Sequence, residues 1–362
     1  MKPSDAKPSA RRSPSWRRKL VFALVPLSAL LLLAELGMRT ARAVQGRGSF
    51  WSANFRVQRL ALVRASYPVA HDPMLGYVPR AHAESRANRW NAHVSIDART
   101  MRRNGVGAPP PATRGVLAVG DSFTFGDQVS DDETWPAGLE QRLAVPVWNG
   151  GVFGYSFAQA VLRAEQLLPQ LPVDVLVLSF IADDLRRCEF STRYAPTPWF
   201  DLVDGELVLR GVPVPERPAN PIDRPLLQHL LGHSALLDAL FWNAAPMWWV
   251  GDRREVRAHP PGTGVQIATR LLDRLAARCT ERSVRLLLVL QGYEIGGDAL
   301  AVLAHAHQRG VPTLDLVTAF AEAAKSDPSL WTRCFDGHMT AAGNAWVAVQ
   351  LAVALGPHFA KH

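Results

Sequence analysis

The sequence predicts an α/β protein: a parallel sheet covered on both faces by helices, three layers deep, preceded by one membrane-crossing helix. Three observations predict it. Apolar, strand-like runs at residues 116–119, 173–181 and 285–290 alternate with segments whose apolar residues recur at helical spacing. The connections between these runs are long enough to hold a helix, as a parallel crossover requires. A further apolar stretch, residues 20–38, stands outside the alternation and is close to the ~20 residues that cross a bilayer.

From the N-terminus, residues 1–19 hold seven Lys or Arg against Asp5, which accounts for six of the eight net positive charges of the chain. A nucleic-acid-binding surface would carry its basic patch on the folded part. Here the remainder is close to neutral, so nucleic acid is excluded as the expected partner. The basic residues instead flank the apolar stretch, which predicts a cytoplasmic tail over 1–19, a signal anchor over 20–38 and export of everything after it. A cleaved signal peptide is the competing reading. Its small-residue site would be Ala41-Arg42-Ala43, well past the apolar run and beside arginines. No cysteine follows the run to carry a lipid. Residues 39–70, rich in Arg, read as a juxtamembrane helix or linker, and an ordered domain is expected over 71–362.

Within that domain, residues 116–119 form a buried strand. Residues 134–143 form a helix whose entry is marked by Asp131-Asp132-Glu133, acids suited to its positive end. A short strand over 145–148 leads into Asn149-Gly150-Gly151, then a helix over 157–171 and the long apolar strand over 173–181. Helices over 265–279 and 299–308, strands over 285–290 and 311–316, and a final helix over 341–355 complete the pattern. Residues 185–262 break it, with a hairpin turning at Asp204-Gly205, a proline-rich stretch and a Leu-rich helix over 226–240. We expect this insertion beside the site, where substrate selection usually resides. Its tryptophans, Trp242, Trp248 and Trp249, read most simply as packing. A sugar-stacking platform and a membrane-interface contact are the alternatives.

Cys188, Cys279 and Cys334 are the only cysteines. An odd count in an exported domain allows at most one internal pair. Cys188 and Cys334 lie nearest the site segments and are the pair to test, with three buried or free thiols as the equal alternative.

The chemistry is carried by Gly120-Asp121-Ser122, straight after the first strand, and by Asp336-Gly337-His338 near the C-terminal end. A serine at the carboxyl edge of a parallel sheet exposes its hydroxyl where such folds place their sites. A histidine and an acid brought to it by the fold supply a base and an orienting group.

These residues resemble the blocks of the SGNH/GDSL hydrolase superfamily, in a membrane-anchored bacterial form, over roughly residues 114–356. The resemblance implies a flavodoxin-like α/β/α fold, no cofactor and no metal. It implies Ser122 as nucleophile and first oxyanion donor through its backbone N–H, His338 as base and Asp336 as the acid that holds the imidazole. Asn149 through Gly154 match the second block, with Gly154 the expected second donor and Gly151 the alternative. In the third block, Ile181-Ala182-Asp183-Asp184, Asp183 stands where the family has an asparagine donor. An ionised carboxylate only accepts hydrogen bonds, so Asp183 serves an oxyanion hole only if protonated. The Asp-x-His spacing is shorter than the usual Asp-x-x-His and is similar to members acting on exported polysaccharides. Asp72 through Tyr77 and Asn104-Gly105 resemble the lead-in of anchored members.

The resemblance implies an exported serine esterase, anchored in a bacterial inner membrane with its N-terminus cytoplasmic. It would remove or transfer a small acyl group, such as acetyl, on a carbohydrate-containing envelope substrate. An O-acyltransferase working with a membrane partner, and a non-catalytic glycan-binding or assembly protein, are the alternatives.

Overall fold

A computed structural model describes residues 16–45, 49–86, 88, 90–105, 114–193, 195–216, 226–250, 255–294 and 296–360. Most of the basic tail therefore lies outside the described residues. The chain divides into two compact units, one comprising residues up to 60 with 222–251, the other residues 61–221 with 252–362.

The larger unit is built on five parallel strands: β1 (Gly115–Val119), β2 (Val147–Asn149), β3 (Val173–Phe180), β4 (Arg285–Leu290) and β5 (Thr313–Asp315). Their order across the sheet is β5-β4-β3-β1-β2. This is a doubly wound α/β/α arrangement, as the sequence predicts, and the order reverses between β1 and β3. In such sheets the crevice at the reversal, beyond the carboxyl ends of the strands, is where ligands are bound. Ser122 follows β1 and Asp183 follows β3.

The strands alternate their faces. Leu117, Val119, Leu176, Leu178, Leu288 and Leu290 join one core with the helices Phe157–Leu167 and Thr263–Glu281. Val116, Ala118, Val175, Val177, Leu287 and Val289 join another with Trp135, Leu139, Val347 and Leu351 from the helices Trp135–Leu143 and Ala341–Phe359. Period-two alternation of fully apolar strands is what burial on both faces demands.

In the smaller unit the helix Trp16–Val44 is the one described helix long and apolar enough to cross a membrane, and its apolar window has no buried share. Its C-terminal end is joined to residues 226–250, the second half of the insertion, within the same unit. The cause is a set of buried charges. Asp238, fully buried, accepts from Arg42 Nη1, from Arg59 Nη2 at 2.7 Å and from the Trp249 indole at 2.8 Å. Arg56 reaches the Trp249 carbonyl and Gln228. Residues 39–44 continue the helix Trp16–Val44, the helical one of the two alternatives for this stretch.

All three cysteines are free and buried, so Cys188 and Cys334 form no disulfide. Burial pushes the Cys188 and Cys279 thiols up to about 12.

Candidate active site

The loop after β1 is forced by crowding. A side chain at Gly120 would place its Cβ 2.6 Å from the Ser179 carbonyl oxygen and 2.4 Å from Thr124 Oγ1, so only glycine fits as β1 ends. Asp121 then caps the short helix Ser122–Phe125, its carboxylate accepting from the Phe123 N–H at 3.0 Å. Ser122 is the first helical residue, so its N–H lies outside the helix's own hydrogen-bond ladder.

The Ser122 hydroxyl lies 2.9 Å from His338 Nε2 and 3.3 Å from Asp121 Oδ2. It carries one proton, so it donates to one of the two at a time, and the imidazole is the closer. The Phe123 ring packs 5.2 Å, centre to centre, from that of His338. The histidine itself is held by a two-residue antiparallel ladder, Phe335–Asp336 on His338–Met339, turning at Gly337 with φ +77°. Its backbone N–H donates to Gln128 Oε1 at 3.4 Å. Just beyond it, Asn344 donates to the carbonyls of Met339 and Thr340 and accepts from the Trp135 N–H at 3.0 Å.

Asp336 is exposed, and no hydrogen bond or ion pair between it and His338 is among the described contacts. The acid beside the imidazole is Asp127, almost fully buried, with Oδ2 3.9 Å from His338 Nε2. Tyr67 donates to that same oxygen at 3.1 Å. The sequence reading missed Asp127, although its place five residues after Ser122, past the αL turn at Gly126, was a usable signal.

The glycine-rich loop after β2 is pinned alongside. Gly150 N–H donates to the Ala118 carbonyl at 2.8 Å and Val152 N–H to that of Gly120 at 3.0 Å. Gly151 N–H is taken by Asn149 Oδ1 at 3.1 Å, which removes it as an alternative donor. Gly154 sits half-buried with φ +74°, behind Phe153, whose carbonyl accepts from the Tyr77 hydroxyl at 2.8 Å.

Asp183 is not placed as an oxyanion donor. Its carboxylate accepts from Arg186 Nε at 2.7 Å, Arg187 Nε at 2.8 Å and Arg193 Nη2 at 3.4 Å. Partial burial pushes its pKa up, but the three guanidiniums, Arg187 foremost, outweigh this and hold it below the ordinary carboxylate value. The group is ionised at neutral pH and has no proton to donate. Its neighbour Asp184 is fully buried and pushed well up, first by desolvation and then by the nearby Asp121 charge. Arg187 ties the cluster together, donating to Asp184 Oδ1 at 2.6 Å, the Tyr155 carbonyl at 2.9 Å and Asp121 Oδ2 at 3.4 Å. One carboxylate, that of Asp121, thus connects a buried guanidinium to the serine hydroxyl.

Among the described residues no cluster of three or more His, Cys, Asp or Glu is placed to hold a metal ion. His305, part of a His-x-His pair on one helix, instead faces Asp273 at 2.9 Å.

The sequence matches no protein-family profile and no curated protein. Among solved structures, the chain is similar to a protein assigned to the lipolytic G-D-S-L family from Desulfitobacterium hafniense, at 13% identity and a TM-score of 0.38, over 67% of this chain and 100% of that one. It is similar also to the psychrotrophic esterase EstA of Pseudoalteromonas, at 10% identity and a TM-score of 0.39, over 67% of this chain and 97% of that one. A third is LAE5, an alpha/beta hydrolase enzyme from a Lake Arreo metagenome, at 13% identity and a TM-score of 0.37, over 67% and 94%. TM-scores this low leave the functional reading to the residues themselves.

Proposed function

We propose that the larger unit is an ester hydrolase of the SGNH/GDSL type, with Ser122 as nucleophile and His338 as general base. The observation that carries this is the 2.9 Å contact between the Ser122 hydroxyl and His338 Nε2, across 216 residues of sequence. Such a contact at the carboxyl edge of β1 is the nucleophile–base geometry of acyl transfer.

In this reading the Ser122 oxygen attacks the ester carbonyl carbon while its proton passes to His338 Nε2. The carbonyl oxygen becomes an oxyanion, faced by the N–H groups of Ser122 and Gly154. Collapse expels the alkoxide, which takes the proton back from His338 and leaves an acyl-serine. Water, or a sugar hydroxyl, then attacks the acyl group with His338 again accepting the proton, and Ser122 is regenerated. The Asp127 carboxylate beside the ring stabilises the imidazolium of each step. It lies on the side of the reacting nitrogen, so it acts through charge rather than by fixing the tautomer.

The substrate we assign is a small acyl ester, most simply acetyl, on a carbohydrate-containing envelope polymer. The Asp-x-His spacing and an anchor that would hold the domain outside the cytoplasm favour it. Arg17, Arg18 and Lys19 precede the apolar span, which favours a cytoplasmic N-terminus and a bacterial inner-membrane location. Transfer to a sugar hydroxyl in place of water is the same chemistry with another acceptor. A non-catalytic glycan-binding role is favoured by one observation, the arginine-held Asp183 where a third donor is expected.

The full-length protein is tested with a serine-directed fluorophosphonate and a small activated ester. Covalent labelling and turnover, both lost in Ser122→Ala, are the expected result. Equal turnover in that variant overturns the nucleophile assignment. An unlabelled wild-type protein that binds O-acetylated glycan equally in both forms favours the non-catalytic role.

A further inference from the structure

We propose that the second half of the insertion, residues 226–250, lies in the interface of the membrane that the anchor helix crosses, as a shallow collar around the anchor's exit point. The inference rests on reading Trp16–Val44 as a spanning helix, and all of its elements belong to the smaller unit.

The depth follows from one carboxylate. A hydrocarbon layer of about 30 Å takes up about 20 helical residues at ~1.5 Å each. Counted from Leu20, the first apolar residue after Arg17-Arg18-Lys19, the far boundary falls near Arg39. Glu35 is therefore inside it by about four residues, or ~6 Å. Its carboxylate is fully engaged there, accepting from Arg39 Nε at 2.6 Å, Ser234 Oγ at 2.7 Å and the N–H groups of Ala235 and Leu236 at 2.9 Å each. These last three belong to the start of the ten-residue helix Ala235–Ala244, so Glu35 supplies the cap for a helix that begins within the apolar depth. Tilting the anchor shortens its rise along the membrane normal and puts this junction deeper still.

The outward faces of the same segment match that depth. In the helix Leu226–Leu231, Gln228 turns inward to the Trp248 carbonyl and Arg56, while Leu226, Leu227 and Leu230 point out, each more than half exposed. Leu240 is also more than half exposed, and Trp248 is 42% exposed. Fully buried Trp249 with its indole on Asp238 shows the other side of the fold, where the polar groups are satisfied internally. Polar groups turned in and leucines and a tryptophan turned out is the pattern of a helix lying about 5–10 Å into the headgroup–acyl boundary. The anchor's own apolar residues, Leu24, Leu27, Leu31 and Leu33 among them, are exposed as well, and acyl chains are the occupant that covers both sets.

The full chain is reconstituted in phosphatidylethanolamine–phosphatidylglycerol vesicles with an environment-sensitive fluorophore on Leu227→Cys, Leu240→Cys or Leu31→Cys. The native thiols are buried and do not compete for label. Lipids carry a nitroxide either near the headgroup or near the chain end. We expect most of the signal at 227 and 240 to be lost to the shallow nitroxide, with iodide quenching reduced severalfold against detergent-unfolded protein, and position 31 to be quenched by the deep nitroxide. Free iodide access at 227 and 240 with deep quenching at 31 overturns the collar and leaves the anchor standing. Shielding from iodide without lipid quenching overturns it in favour of a second copy covering the face. Absence of lipid quenching at 31 shows that the anchor reading has failed, and the collar with it.

Discussion

Replacing Arg102 by methionine tests whether the loop after the nucleophile is held from beneath. Arg102 is buried, and its Nε donates to Asp131 Oδ1 at 2.9 Å. Nη1 donates to the Phe125 carbonyl at 2.9 Å and to that of Gly126, and Nη2 to that of Val129 at 2.6 Å. These four acceptors lie between residues 125 and 131, the stretch that also carries Asp127 and Gln128 to His338, and a longer bond from Nη2 reaches the His93 carbonyl at 3.5 Å. Burial alone lowers the Arg102 pKa, and the Asp131 charge opposes this. Breaking a buried pair by removing one member costs about 3–5 kcal/mol, because the other charge stays buried. Asp131 keeps its bonds from the Ser95 N–H and hydroxyl, so the lower end applies, about 3 kcal/mol. At about 2–4 °C per kcal/mol for a unit of this size, thermal unfolding of the full chain falls by about 6–12 °C. Lysine should not rescue it, since one ammonium cannot replace a planar fork reaching five acceptors. The double variant Arg102→Met with Asp131→Asn should lose less than the two single losses added. A fall below about 2 °C, or a fully stable Arg102→Lys, refutes the reasoning.

Asn344→Leu strands the buried Trp135 N–H and frees the carbonyls beyond His338, so it should cost about 1–3 kcal/mol and lower ester turnover with little change in KM; equal turnover speaks against that role. Titration with a disulfide-reactive thiol reagent at pH 8 should find no accessible cysteine until denaturant is added, and electrophoretic mobility should not respond to reductant. Asp183 has a folded pKa below its unfolded value, so the stability it gives is present above about pH 4 and is lost as pH falls through the folded value. The melting-temperature gap between wild type and Asp183→Asn should therefore be level from pH 5 to 7 and shrink below pH 4. A gap that widens on acidification has the wrong sign.

The sheet was legible because both its faces are buried, so β1, β3 and β4 read as unbroken apolar runs that only a parallel, covered sheet accommodates. The approach of Ser122 to His338 was legible because each sits in a short, spaced motif. The acid was not. Asp336 is near His338 in sequence but exposed, whereas Asp127, on the loop that follows Ser122, brings its carboxylate within 3.9 Å of the ring. The arginine grip on Asp183 left a trace that went unread, since Arg186 and Arg187 stand three and four residues on, the spacing of helical ion pairs. Cys188 and Cys334 are close to site motifs in sequence, which says nothing about the separation of their sulfurs. The second half of the insertion was the least legible part, because Glu35 and Arg42 find partners there nearly two hundred residues downstream.

That last separation has a consequence during synthesis. Arg42 leaves the ribosome 196 residues before Asp238. At about 5–20 residues per second, the anchor waits on the order of ten to forty seconds for the carboxylate that will neutralise it. Through that interval Glu35 and Arg42 lack their partners from residues 234–238, while the strands β1 and β3 are already made. The smaller unit is thus finished only after much of the larger one has emerged. A chain cut before residue 234 would retain its first helix but never complete the unit to which that helix belongs.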